Sequence, residues 1–398
     1  MDVEVSEVPT GSDDLIDAVS SAVTGSSAQV PLCVDLDGTL LLTDTLHEQL
    51  LLLARQKPRE LLAVPIWLCA GKATFKRRLA KAVQLDLRSL PVNRPLLDYL
   101  TAQHTMGREL ALLSAADDRV VQAFAARFGL FTWAKGSDSG LNLAGARKLA
   151  AIREHYQDRP FAYAGNAPVD LPIWANSAAA LVAGDTGRLL PRVARHAKVE
   201  ASFPYGPGSL LEYARTWLKA LRPHQWAKNL LLFTPALLAG PLAQRDDYLE
   251  AGLGFLIFSL LASAGYVTND LLDLEADRSH RSKRFRPFAA GLLPIREGVR
   301  GVGLLLLLAM LLSLLMPLAF LPAALAYFVG TLAYSLVLKR EPMVDVLVLA
   351  GLLTVRVFAG AMVLAAPISF WLLSFSMFLF LSLALVKRYT ERNTSSSR

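Results

Sequence analysis

Residues 251–277 read AGLGFLIFSLLASAGYVTNDLLDLEAD. The first part is an apolar run of about the length that crosses 30 Å of hydrocarbon. It ends in Asn269, Asp270, Asp273 and Asp277. On a helix, Asn269, Asp273 and Asp277 are four apart and form one stripe, with Asp270 beside it. Acids at the end of a membrane helix are expensive to place and mark a functional site. Hard oxygen ligands at this spacing suit Mg²⁺ bound to a diphosphate. Residues 278–291, RSHRSKRFRPFAAG, follow at once with Arg278, Arg281, Lys283, Arg284 and Arg286. Guanidinium forks and lysines bind phosphate oxygens. Acids for a metal beside cations for phosphate describe a site for a pyrophosphate substrate. A purely topological role for these charges does not account for the adjacent acids.

Outward from this stretch the chain divides. Its 398 residues are 53% hydrophobic and 19% charged, with a mean hydropathy of +0.37. That length suggests two domains, and that composition excludes disorder and points to membrane segments. From about residue 226 long apolar blocks follow one another, and spans are expected near 226–243, 251–271, 299–318, 320–338, 343–365 and 368–386. The loop at 272–298 is basic, as are Lys339 and Arg340, and Lys387, Arg388 and Arg392, whereas Arg245 is the one basic residue of the loops near 244–250 and 366–367. Basic loops stay in the cytoplasm. The expected protein is therefore multi-pass in the plasma (inner) membrane, with its N-terminal domain cytoplasmic. Much of the net charge of +7 is then a topology signal, and no nucleic-acid partner is needed. Pro204, Gly206, Pro207 and Gly208 mark a linker. The stretch Leu210–Leu221, flanked by Trp217 and Trp226, reads as an interfacial helix. Residues 1–29 are expected to be an acidic disordered N-terminus, unlike a signal peptide. Cys33 and Cys69, the two cysteines, exclude a disulfide scaffold and a four-Cys zinc site.

Between these ends, residues 31–215 alternate short apolar runs with charged stretches, as a soluble α/β domain does. Residues 31–40 read PLCVDLDGTL, a strand ending in Asp35, followed by Asp37 and Gly38. Carboxylates two apart at a strand end point the same way. Such a pair can share Mg²⁺, one Asp attacking phosphorus and the other moving protons. This D-x-D-G-T block resembles motif I of the haloacid dehalogenase superfamily. By that resemblance Ser114, ending LALLSA at 110–115, is the motif II hydroxyl, and Lys148 the motif III lysine. FAYAGNAPVDLP at 161–172 resembles motif IV, with Asn166 where a first acid is usual and Asp170 in the second place to complete the Mg²⁺ site. Asn adds no negative charge, so weaker metal binding is expected. The resemblance covers residues 30–200 and implies a Rossmann-like domain. A helical cap at about 45–108 would offer Lys72, Lys76, Arg77 and Arg78 to a phosphorylated substrate; a solvated basic face is the competing reading.

In the membrane half, N-D-x-x-D-x-x-x-D followed by K-R-F-R-P-x-A-x-G resembles the UbiA superfamily of intramembrane prenyltransferases. LRPHQWAKNL at 221–230, the ADRSH run at 276–280, and Tyr334, Ser335, Leu338 and Lys339 resemble the branch that makes polyprenyl-phosphate phosphoribose. The resemblance covers about residues 215–392. It implies Mg²⁺-dependent transfer of ribose 5-phosphate from phosphoribosyl pyrophosphate to a polyprenyl phosphate. It adds Asp345 as a further metal ligand, and Arg222, Lys228, Lys339 and Arg356 as phosphate contacts. Arg356 follows Asp345 by eleven residues, about three turns, so both are expected to face one way. The superfamily usually has nine spans; six are expected here, an all-α bundle apparently truncated. The domain plan is thus residues 30–200 hydrolase-like, 201–220 linker and interfacial helix, and 221–398 transferase-like. Two alternatives stay open: prenyl transfer from a prenyl diphosphate to an aromatic acceptor, and a catalytically impaired membrane-anchored sensor or assembly module. Oligomeric state is not legible.

Overall fold

A computed structural model describes residues 30–138, 140–157, 159–336, 338, 342–363 and 369–396. The expected acidic N-terminus, 1–29, lies outside them. The chain forms two compact units. One holds the residues up to Leu46, then Ala63–Leu87 and Val92–Gly206; the other holds His47–Leu62, Arg88–Pro91 and the residues from Pro207 onward.

The first unit is built on a parallel sheet of six strands: β1 Leu32–Asp35, β2 Leu110–Asp117, β3 Trp133–Ser137, β4 Ala162–Gly165, β5 Ala179–Gly184 and β6 Val199–Pro204. Their order is β3-β2-β1-β4-β5-β6. β1 is wholly buried, as a continuous apolar run in the middle of a parallel sheet must be. It pairs with β2 on one side and β4 on the other. The strand order therefore reverses at β1, and the crevice beyond the carboxyl ends of β1, β2 and β4 is the switch point where such sheets bind ligands. One face of the sheet is filled by Cys33, Leu113, Tyr163 and Val182 packed on Ile152 and Trp174.

A buried ion pair ties the far strand to the rest. Arg108, 2% exposed, donates through Nε to Val30 O at 2.9 Å. Its terminal nitrogens reach Gln103 Oε1 at 2.9 Å and Glu200 Oε2 at 3.1 Å. Tyr99 O–H also donates to Glu200. Burial pushes the Glu200 carboxyl up, but the hydrogen bonds from Arg108 and Tyr99 outweigh it and hold it below the ordinary 4.5. A pKa depressed on folding stabilises above the unfolded value, and that share is lost as pH falls from about 4.5 through the folded value. Glu200→Gln leaves Arg108 without its counter-charge. It is expected to lower the stability of this unit by about 3 kcal/mol at pH 7. Urea unfolding followed by Trp fluorescence at pH 7 and pH 3.5 would check both the loss and a shallower acid dependence; unchanged midpoints would refute it.

The second unit is helical. Helix α1, Thr45–Gln56, carries residues into it from His47 onward. Ser209 caps the helix Leu210–Leu221 (α2) by accepting from Glu212 N at 3.2 Å. The remaining long helices are α3 Arg245–Leu272, α4 Ile295–Ser313, α5 Phe320–Leu336, α6 Pro342–Val363 and α7 Phe370–Ser396. Among the described residues two helices, Arg245–Leu272 and Met343–Val363, are long and apolar enough to cross a membrane, and Phe320–Leu336 and Phe370–Val386 are shorter apolar helices. Phe258, Phe320 and Tyr327 form the centre of the bundle's core. The tightest approach is at Gly360 of α6, where an added Cβ would lie 2.2 Å from Leu232 O.

Two expectations change. The first span, 226–243, is not one α-helix. It is a 3₁₀ stretch over Pro223–Phe233, a short helix Thr234–Ala239 and a 3₁₀ turn Gly240–Leu242. Within it, Pro235 and Pro241 lack the N–H that a continuous ladder requires. The proposed cap at 45–108 is also not one body. His47–Leu62 groups with the helical unit, Ala63–Leu87 with the sheet unit, and Arg94–Thr105 buries Leu96 and Leu100 completely.

Candidate functional site

Two charged centres emerge, one in each unit. In the sheet unit, Asp35 ends β1. The ammonium of Lys148, on the helix Ala146–Tyr156, donates to Asp35 Oδ1 at 2.7 Å and to Tyr163 OH at 3.0 Å. Tyr163 O–H passes the chain on to Asp170 Oδ1 at 3.0 Å. Asp170 Oδ2 accepts from the backbone of Asn166 at 3.4 Å and Ala167 at 3.2 Å. Asp37 accepts from Thr45 N at 2.8 Å and from Ser114 Oγ at 3.2 Å. Asp35, Asp37, Ser114, Lys148 and Asp170, distant in sequence, thus fall into two hydrogen-bonded sets, Asp35–Lys148–Tyr163–Asp170 and Asp37–Ser114, close enough for Asp35 and Lys148 to act on Asp37 through their charges.

Gly38 explains the turn between the two acids and their partner loop. Its φ is +72°, and a Cβ there would lie 2.1 Å from Asn166 Nδ2. Asn166 Oδ1 in turn accepts from Thr39 Oγ1 at 3.3 Å. Burial pushes Asp35 up, to about 6, against the pull of Lys148, and pushes Asp37 up to about 7 with help from Asp44. Burial works to lower Lys148, but Asp35 and Asp170 more than offset it and hold the ammonium charged. Buried acids short of positive charge fit a divalent cation. Mg²⁺ is ordinarily held by one or two carboxylates, waters and substrate phosphate, so Asp35 and Asp37 suffice as its fixed ligands.

Tyr163 and Tyr205 escaped the sequence reading, and Lys76 was expected only as one of the cap's basic residues. Tyr163 bridges Lys148 and Asp170; its signal was a lone phenol between alanines on a buried strand. Tyr205 donates to Gly38 O. Lys76 turns inward, donating to Ala115 O and to Asn142 Oδ1, the latter at 2.9 Å.

In the helical unit, α3 ends at Leu272 and a short helix Leu274–Ser279 follows. The bonds Asp273 N to Asn269 O at 2.9 Å and Asp277 N to Asp273 O at 2.8 Å carry the stripe across the break. Arg222 donates to Asp270 Oδ1 at 2.5 Å. Arg286 reaches the same oxygen at 3.1 Å and Asp277 Oδ2 at 2.6 Å. Arg222 sits at φ +54°, uncommon for a side-chain-bearing residue, and its guanidinium lies 5.2 Å from the Tyr266 ring. Asp270 and Asp277 are 1% and 3% exposed. Asp270 Oδ2 is buried and has no hydrogen-bond partner among the described residues. An orphaned anionic oxygen is costly and is what a cation would satisfy. Asp270 with Asp277 fits Mg²⁺ on the two-carboxylate rule, although no group of three or more Asp, Glu, His or Cys gathers around one point among the described residues.

The other expected contacts are placed unevenly. Asp273 lies 3.6 Å from Arg55, whose guanidinium also donates to Leu272 O at 3.2 Å. Arg278 is not open to substrate: Glu48 holds it at 2.6 and 3.1 Å, and it donates to Ala289 O. Lys228, Lys283 and Arg284 are exposed. Lys339 lies outside the described residues. Asp345 accepts from Tyr334 O–H at 2.8 Å. Arg356 does not join Asp345. Eleven residues bring both to one side of α6 but separate them by about 16 Å along its axis. Arg356 is instead held by neutral groups: Asn229 Oδ1 at 2.8 Å, Tyr327 OH at 2.9 Å and Leu352 O.

Comparison with known proteins bears on both centres. A model of the UbiA prenyltransferase family matches residues 230–395, and one of the haloacid dehalogenase-like hydrolases matches residues 32–174. The chain is a UbiA-family protein with a haloacid dehalogenase-like hydrolase domain at its N-terminus. The uncharacterized protein y4nM of Sinorhizobium fredii is 39% identical over 367 residues, which cover 91% of this chain and 70% of that one. That similarity runs along nearly the whole of this chain. The decaprenyl-phosphate phosphoribosyltransferase of Mycobacterium tuberculosis is 36% identical over 186 residues, 44% of this chain and 59% of that enzyme. The chain thus spans under two thirds of that relative's length. A solved UbiA homolog from Archaeoglobus fulgidus, bound to DMAPP and Mg²⁺, is 24% identical with a TM-score of 0.38 over 42% of this chain and 61% of that one. UbiA-family proteins are integral to membranes, in keeping with the apolar helices.

Proposed function

We propose that the UbiA-family half transfers ribose 5-phosphate from phosphoribosyl pyrophosphate to a polyprenyl phosphate, and that the hydrolase half then removes the 5-phosphate. The observation that carries the first step is the Asp270–Arg222–Arg286–Asp277 cluster with its orphaned carboxylate oxygen. The choice of substrate is supported by the 36% identity to a decaprenyl-phosphate phosphoribosyltransferase. Mg²⁺, held by Asp270 and Asp277 with Asn269 and Asp273 nearby, would neutralise the pyrophosphate as it leaves; Asp345 offers a carboxylate for a second ion. Arg222 and Arg286 are kept at the acids and present their free N–H groups to phosphate oxygens. Lys283 and Arg284 add exposed positive charge beside them. The ribose C1–O bond loosens toward an oxocarbenium ion, and the lipid phosphate attacks C1. Stabilising the departing charge by fixed cations is where most of the rate comes from, so no protein nucleophile is needed.

In the hydrolase half, Asp35 attacks the 5-phosphate, with Lys148 at 2.7 Å orienting its carboxylate. Asp37 protonates the departing ribose oxygen and then takes a proton from the water that hydrolyses the aspartyl phosphate and frees inorganic phosphate; Ser114 holds Asp37 in place at 3.2 Å. Lys76 supplies a second ammonium above the strand ends. The basic loops support a reading in which both reactions occur on the cytoplasmic side of a multi-pass inner-membrane protein.

The test is mass spectrometry of lipids after incubating the purified protein with Mg²⁺, phosphoribosyl pyrophosphate and a polyprenyl phosphate. A lipid heavier by ribose, with a transient species heavier by ribose phosphate, is expected. Product formed only from a prenyl diphosphate and an aromatic acceptor would overturn the reading.

Asn166→Asp provides a further check. The residue lies against Gly38, between the motif loop and Asp170. A carboxylate there adds one negative charge to the ligand set. The Mg²⁺ concentration giving half-maximal phosphate release is expected to fall about tenfold. An unchanged requirement would place position 166 outside the metal site.

A further inference from the structure

A groove of about 490 Å³ runs between the interfacial helix α2 and α4, closed at one end by Leu221, the residue before Arg222. Tyr213 and Trp217 form one wall, and Glu297, Arg300, Leu304 and Leu305 the other. The helices meet where Gly301 faces Trp217; a Cβ at 301 would lie 2.4 Å from that indole. The groove is amphiphilic along its length. Glu297 and Arg300 stand one turn apart at one end, and Leu304 and Leu305 lie about 6–8 Å beyond Arg300 along α4. Tyr213 O–H donates to Glu297 Oε2 at 2.9 Å and fixes the carboxylate at the rim. Arg300 makes no hydrogen bond or ion pair among the described residues. Leu210, Leu211 and Leu218 of α2 are exposed at 85%, 60% and 52%, as suits a helix lying at the surface of a bilayer.

We propose that this groove binds one phospholipid with a primary ammonium headgroup, a phosphatidylethanolamine. The charges select it. Its phosphate meets the Arg300 guanidinium, its ammonium donates to the Glu297 carboxylate, and one acyl chain lies along Trp217, Leu304 and Leu305. An anionic lipid satisfies Arg300 but sets its charge against Glu297. A choline headgroup carries the same charges without an N–H to donate. The bound lipid seals α2 to α4 at the level of the headgroups, where Trp is favoured.

The experiment is native mass spectrometry of the delipidated full-length protein in detergent, titrated separately with phosphatidylethanolamine, phosphatidylcholine, phosphatidylglycerol and a polyprenyl phosphate. One tightly held phosphatidylethanolamine per chain is expected, about tenfold tighter than phosphatidylcholine, the size of one charge-assisted hydrogen bond. Glu297→Gln and Arg300→Gln are each expected to erase that preference. Leu304→Trp, at a side chain already 57% exposed, fills the groove and should block retention while circular dichroism stays that of the parent. Equal retention of phosphatidylcholine or phosphatidylglycerol, stronger retention of polyprenyl phosphate, or an unaltered preference in the variants would overturn the proposal. The readout is lipid binding rather than turnover, so its failure is separable from failure of the transfer reaction.

Discussion

Asp270→Ala is expected to lower kcat/KM for phosphoribosyl transfer by about 10³-fold or more. Asp270 is the hub of its cluster: one oxygen accepts from both Arg222 and Arg286, and the other is buried without a partner. Its removal takes away a proposed metal ligand and releases Arg222 at once. Arg286 keeps its bond to Asp277, so the cluster is crippled rather than scattered. Asp270→Asn keeps the shape and an acceptor oxygen but not the charge, and a smaller loss of about 10² is expected. The two variants should be ranked by product formation at saturating polyprenyl phosphate across a Mg²⁺ series. If both stay within threefold of the parent, the acid stripe is not where the pyrophosphate is handled.

Asp35→Asn should leave transfer intact and stop phosphate release, lowering its kcat by about 10⁴, the scale of losing a nucleophile. The variant is isosteric and still accepts from Lys148 Nζ, now 2.7 Å from Asp35 Oδ1, so the loss reads chemistry rather than collapse. The lipid product should then accumulate with its 5-phosphate attached. Phosphate release at the parent rate would show that Asp35 is not the attacking group; loss of transfer as well would show that the two reactions are not separable in this way.

Much of this was legible in order along the chain. The Asp35–Asp37 pair could be read because strand alternation and burial are local properties: β1 is four buried residues ending at an acid. The span ending at Asp270 could be read because the length of an apolar run is set by the bilayer rather than by neighbours. The 226–243 segment was misread for the opposite reason. Its hydropathy is that of a span, but Pro235 and Pro241 prevent a continuous ladder. The insertion at 45–108 was read as one cap because helical periodicity says which face is apolar, not which body that face packs on.

The sequence by itself determined the two families and the motifs on which the proposed chemistries rest, since motif spacing, strand alternation and apolar length are all written over short distances. Only the tertiary structure decided which charges are spoken for. Arg222 meets Asp270 across 48 positions, Lys148 meets Asp35 across 113, and Arg356 bonds Asn229 across 127 instead of joining Asp345 on its own helix. An ion pair depends on a separation of a few ångströms in space, and no local pattern encodes that distance.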